Sequence, residues 1–266
     1  MKTTIKPNKP LAPVQGVIFD IDGVLEYQGR VYPGAVETIK RLKQKDITVR
    51  FLTNSTLKSR VSCAQKLRVS GFAAEDHEVI TASYATACYL RALKPRSIWV
   101  LLEREGLDEF KGFVQDEQNP EYVVIGDNRA RFDFDHMNRA LRLISQGAKL
   151  IGMIDELIDE SLGDLELNVG SWVRMLETAA GVKALYIGKP NPYAFEITLE
   201  TMSVPKEAVV MVGDRVLSDI LGAQRAGIRS VLVKTGEFNQ KDLNSEIQPD
   251  YSIDSIASLL EALQIG

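Results

Sequence analysis

Short apolar runs that end in turn or polar residues alternate along this chain with segments of helical period. That alternation is the signature of a parallel sheet covered by helices on both faces, so the predicted class is α/β. Strands are predicted at residues 17–19, 48–52, 79–80, 184–187, 209–212 and 230–233. All are short and several are rich in Val and Ile, as strands buried on both faces are. Leu57, Val61, Ala64 and Leu67 recur at helical spacing, with Ser55 or Thr56 in position to cap that helix. Pro33 precedes a second predicted helix over residues 34–45.

The middle of the chain has its own rhythm: a strand at 98–102, a helix, a strand at 122–125, a helix over 134–145 and a strand at 150–153. It reads as a smaller α/β unit inserted in a larger one. Lys94-Pro95 marks the way in and Gly181-Val182-Lys183 the way out, because Pro and Gly interrupt elements where linkers need them. The expected division is therefore a core from 1–94 and 184–266, with an insert at 95–183. No internal repeat or low-complexity tract is evident.

Composition adds exclusions. With 45% hydrophobic and 26% charged residues in 266, the chain can bury a substantial core. Lys and Arg number 32 against 36 Asp and Glu, a net charge of −4 with no long run of one sign, which argues against a nucleic-acid partner. The N-terminal stretch is basic and polar without the apolar segment of a secretory signal, and no window reaches the roughly 18 apolar residues of a membrane span. A cytoplasmic protein without membrane association is expected. Cys63 and Cys88 fall in amphipathic helical stretches, which suits reduced thiols packed as small apolar groups.

The chemistry lies at strand ends. The run Val17-Ile18-Phe19-Asp20-Ile21-Asp22-Gly23 places two carboxylates directly after a buried strand, where open α/β sheets bind their ligands. With one residue between them, Asp20 and Asp22 share a face only while the chain stays extended. A second strand ends in Thr53-Asn54 before a helix, whose N-terminal N–H groups favour an anion. A third ends in Gly188-Lys189-Pro190, and a fourth in Gly213-Asp214 with Asp219 five residues on. Taken singly these are a solvated turn, a helix cap, a surface lysine and a capped helix. As an ordered set they are not commonplace.

That ordered set is similar to the motif series of the haloacid dehalogenase superfamily phosphatases, and the resemblance spans nearly the whole chain. The stretch from Leu25 to Ala35, the insert between the second and third motifs, and the stretch from Gly170 to Glu177 resemble the branch typified by NagD and the p-nitrophenyl phosphatases. The resemblance implies a Rossmann-like parallel core with a C2-type α/β cap at 95–183, acting as a lid, and Mg²⁺-dependent hydrolysis of small phosphate monoesters. It implies that Asp20 attacks phosphorus to give an aspartyl phosphate, while Asp22 protonates the leaving oxygen and then activates water. Thr53 and the Asn54 backbone would hold the phosphoryl group, and Lys189 would place its ammonium beside it. Asp20, Asp214 and the Asp22 carbonyl would bind Mg²⁺, with Asp219 supporting the metal shell.

Substrate identity does not carry over from the resemblance. Many relatives place an Asn and an Asp in the cap loop after a strand like 150–152; here Met153 stands where the Asn falls, and Asp155 matches the acid as a substrate-binding position. The acidic run Asp155, Glu156, Asp159, Glu160 and Asp164 either disfavours strongly anionic leaving groups or is a solvated loop. Homodimerisation through the cap occurs in relatives, but no interface is legible here. Two other functions share these motifs: a phosphotransferase or mutase, and a non-catalytic phosphate-binding protein. The latter would be expected to lose a charged catalytic position, whereas Asp20, Asp22, Lys189 and Asp214 are all present.

Overall fold

The computed structural model describes residues 13–159, 164–241 and 246–265; the basic N-terminal stretch up to residue 12 and Glu160 lie outside them. The described residues fall into two compact units, one within the ranges Met1–Thr53, Cys63–Ile80 and Lys189–Gly266, the other within Asn54–Ser62 and Thr81–Gly188.

The first unit is built on a six-stranded sheet in the order Tyr251–Ile253, Arg229–Val233, Val209–Gly213, Gly16–Phe19, Thr48–Thr53, Val79–Thr81. Gly16–Phe19 is central, parallel to both neighbours, with Phe19 opposite Val212 on one side and Phe51 on the other. Such a strand has no polar face, and all four of its residues are buried. Phe19, Phe51, Leu25, Ile39, Leu42 and Leu67 pack in one cluster on the sheet. Burying each such side chain contributes about 1.5–3 kcal/mol. The helix predicted after Pro33 is found at Ala35–Gln44, and it buries Ala35, Thr38, Ile39 and Leu42 along one stripe.

The second unit has its own four-stranded parallel sheet, in the order Leu185–Tyr186, Lys149–Gly152, Tyr122–Ile125, Ile98–Leu101. Its helices include Phe134–Ser145, capped by the Asp133 carboxylate accepting from the His136 N–H, and Val169–Ala180, closed by Gly181 in the left-handed region. A two-stranded antiparallel pair, Ile158–Asp159 with Glu166–Leu167, completes it.

Two expectations are revised and one strand is added. The strand predicted at 184–187 does not join the large sheet: Leu185–Tyr186 is the edge strand of the second unit, paired with Lys149–Gly152. Leu185 is 37% exposed, and the segment is held by Glu177, which accepts from the Ala184 N–H at 2.7 Å and the Tyr186 hydroxyl at 3.1 Å. The helix expected from Leu57 begins only at Arg60, because Ser59, not Ser55 or Thr56, accepts the Ser62 N–H. Thr56 is occupied elsewhere, accepting from the Asp127 N–H. The strand Tyr251–Ile253, a short half-buried edge, escapes the apolar pattern. Cys63 and Cys88 form no disulfide among the described residues. No helix among the described residues is long and apolar enough to cross a membrane.

Candidate active site

Asp20 leaves the central strand with its N–H still bonded to the Val212 carbonyl at 2.9 Å. Its Oδ1 accepts the following Ile21 N–H at 2.8 Å and lies 2.7 Å from Lys189 Nζ. Lys189 is 2% exposed and donates equally closely to Asp219 Oδ1, at 2.7 Å. Burial alone would depress the lysine, but Asp20 and Asp219 outweigh it and hold the ammonium above the usual amine range. The other oxygen of Asp219 accepts the Arg215 N–H at 3.1 Å. Asp219 reaches this position from a widened, π-helical turn at Val216–Ile220.

Asp214 follows the neighbouring strand Val209–Gly213 and is fully buried. Its Oδ2 accepts the Glu237 N–H at 2.7 Å, while Oδ1 has no hydrogen-bond partner among the described residues. Gly23 and Gly236, with φ of +88° and +61°, close around this carboxylate: a Cβ on either would lie 2.1 or 2.3 Å from Asp214 Oδ2.

One oxygen each from Asp20, Asp214 and Asp219 lies within 4.8 Å of the others, the one such cluster among the described residues. Three buried carboxylates face a single lysine, so full ionisation would leave surplus negative charge away from water. Accordingly burial, with Asp20 and Asp219 adding to it, pushes Asp214 up to about 9. Burial likewise pushes Asp20 up to about 7 despite the opposing pull of Lys189. A hard divalent cation suits this donor set: oxygen ligands, surplus negative charge, and one buried carboxylate oxygen without a partner.

The remaining predicted residues fall in different places. Asp22 is exposed, outside the carboxylate trio, though near enough to act on Asp20 electrostatically. Thr53 is buried at the end of the strand next to Asp20's own. Asn54 and Asp155 belong to the second unit, where Asn54 donates to Glu156 at 2.7 Å and Asp155 lies 3.8 Å from Arg174. Asp159 similarly faces Arg129, so the described part of the acidic run is partly ion-paired. Tyr32, Thr235, Gly236 and Glu237 went unforeseen. Their signal in the sequence is that Lys234-Thr235-Gly236 closes the strand Arg229–Val233 at the same edge of the sheet.

Asp20 and Asp214 thus stand at the ends of neighbouring parallel strands, with Asp219 and the buried Lys189 brought to them from the segments around, the place where open α/β sheets bind their ligands. Residues 17–113 match the family model of haloacid dehalogenase-like hydrolases, and residues 186–259 match a HAD-hydrolase-like model. The human phospholysine phosphohistidine inorganic pyrophosphate phosphatase is 34% identical over 262 residues, 96% of each chain. Among solved structures, the 4-nitrophenylphosphatase of Thermotoga maritima superposes with a TM-score of 0.89 at 31% identity, over 94% of this chain and 98% of that one. NagD of E. coli K-12 gives 0.85 at 28% identity, over 92% and 98%. The chain belongs to the haloacid dehalogenase-like hydrolase family. Its solved neighbours lie in the NagD and nitrophenylphosphatase branch, and these named relatives include phosphatases.

Proposed function

We propose that this protein is a Mg²⁺-dependent phosphatase that hydrolyses small phosphate monoesters through a covalent intermediate on Asp20. The observation that carries the proposal is Lys189 pinned 2.7 Å from both Asp20 and Asp219, beside an Asp214 oxygen that lacks a partner. Asp20 forms the new P–O bond as the ester P–O bond breaks, and Asp22, exposed beside it, gives the departing oxygen its proton. Asp22 then takes a proton from water, which attacks phosphorus and frees Asp20. Lys189 holds the carboxylate in place and stabilises charge on the phosphoryl oxygens, with Thr53 and the Asn54 backbone as further donors. Mg²⁺, when bound by Asp20, Asp214 and the Asp22 carbonyl with Asp219 in support, offsets the negative charge that otherwise keeps an anionic nucleophile from an anionic substrate.

This chemistry treats any phosphoryl group alike, so choice of leaving group is assigned to residues 95–183, Asp155 among them. The name of the human relative widens the set worth testing from P–O esters to P–N bonds and pyrophosphate. Phosphate release should be measured over such a panel with and without Mg²⁺. Asp20→Asn should fold normally and release no phosphate, because an amide keeps the shape and loses the nucleophile. Undiminished turnover by a clean Asp20→Asn preparation would remove Asp20 from the chemistry.

A further inference from the structure

We infer that the loop Thr235-Gly236-Glu237 is a positioning arm for Asp214, with Thr235 and Tyr32 setting the orientation of that carboxylate without touching the ion it would hold. The inference rests on the cation-dependent reading of the site and goes beyond its four strand-end motifs.

The loop follows Arg229–Val233, the strand paired directly with Val209–Gly213, so both strands deliver their ends to the same place. Four bonds then fasten it. The Thr235 hydroxyl donates to the Gly23 carbonyl at 2.6 Å, and the Gly236 N–H donates to the Tyr32 hydroxyl at 3.0 Å. The Glu237 N–H donates to Asp214 Oδ2 at 2.7 Å, and the Glu237 carboxylate lies 3.4 Å from Arg215 Nε. Packing leaves no slack, since a Cβ on Gly236 would sit 2.3 Å from both Asp214 Oδ2 and Gly23 Cα.

A carboxylate with one oxygen fixed by a backbone N–H has its plane fixed too. The consequence for Asp214 is that Oδ1, buried and unpartnered among the described residues, faces a set direction. Groups that orient a ligand in this way typically change metal affinity by about 10–100-fold when removed. Thr235 and Tyr32 act at one remove: each ties the loop to the Asp20–Gly23 turn or to the segment after it, and the loop in turn holds Asp214.

The test is calorimetric titration of Mg²⁺ into the full-length protein, with phosphate release as a function of Mg²⁺ alongside. Thr235→Val and Tyr32→Phe remove only the bonding groups. Each should weaken Mg²⁺ binding by about 10-fold or more. The Mg²⁺ requirement for turnover should rise in parallel, with kcat at saturating Mg²⁺ largely kept. Thr235→Ser should restore binding. Variants that melt earlier yet bind Mg²⁺ as tightly as wild type would overturn the inference, leaving the loop a merely structural brace. A wild-type protein that takes up no Mg²⁺ would instead remove the cation-dependent reading, and the inference with it.

Discussion

Lys189 is one positive charge serving two buried carboxylates, and its loss would strand both. Lys189→Ala is expected to lower kcat by about 10²–10³, the usual effect of removing a donor aimed at developing negative charge. Steady-state kinetics on a folded variant checks it, and near wild-type kcat would place Lys189 outside the reaction. Asp214 gives a pH signature. Its folded pKa is raised from 3.8 to about 9, and that of Asp20 to about 7, in both cases first by burial. The folded state therefore binds more protons than the unfolded one between these limits. The contribution of these two groups to the stability of the cation-free protein should be full below about pH 4 and be lost as pH rises through 7 and then 9. Melting temperature against pH in chelator should show this decline, and Asp214→Asn should flatten its upper part; an unchanged slope would mean that Asp214 is not the group responsible. At this scale Asp20, Lys189, Asp214 and Asp219 were legible because each follows or extends the end of an apolar run. Gly236 and Glu237 were not, since they contribute backbone N–H groups, which residue type does not advertise.

Elements were legible where side-chain periodicity and capping agree. The helix Phe134–Ser145 is found over the predicted span: Asp133 caps it, and Met137, Ala140, Leu143 and Ile144 are buried on one face. The helix Arg60–Val69 starts later than periodicity predicts because three hydroxyl residues, Ser55, Thr56 and Ser59, compete for the cap, and tertiary bonds decide among them. Ser59→Ala should therefore cost about 1 kcal/mol of stability. Urea unfolding of Ser59→Ala would measure this, and stability equal to wild type would contradict the assignment. The strand Leu185–Tyr186 shows a different limit. An apolar run says that a strand will pair, but nothing in Ala184-Leu185-Tyr186-Ile187 says with which sheet. Here Glu177, on a helix several residues earlier, and backbone pairing with Lys149–Gly152 hold it in the second unit.

For the whole molecule, the interleaving of the two units was only partly legible. The insert's strands announced themselves, but Asn54–Ser62 and the helix Ala82–Leu93 group with the second unit through contacts that no composition shift marks. Charge at the site couples folding to ligand binding. Cation binding should raise the melting temperature, and by more at pH 8 than at pH 6, because carboxylates held above their usual range must first release protons. Scanning calorimetry with Mg²⁺ at the two pH values checks this, and an equal shift at both would argue that the cation binds elsewhere. The central position of Gly16–Phe19 has a consequence for biosynthesis. One of its flanking strands, Thr48–Thr53, emerges from the ribosome soon after it, but the other, Val209–Gly213, comes only near the end of translation. Until then the nascent chain carries an unpaired apolar ribbon, the kind of edge that invites intermolecular pairing. The strand at the centre of the finished sheet is thus one that waits long for its second neighbour, and a chaperone has most to shield during that interval.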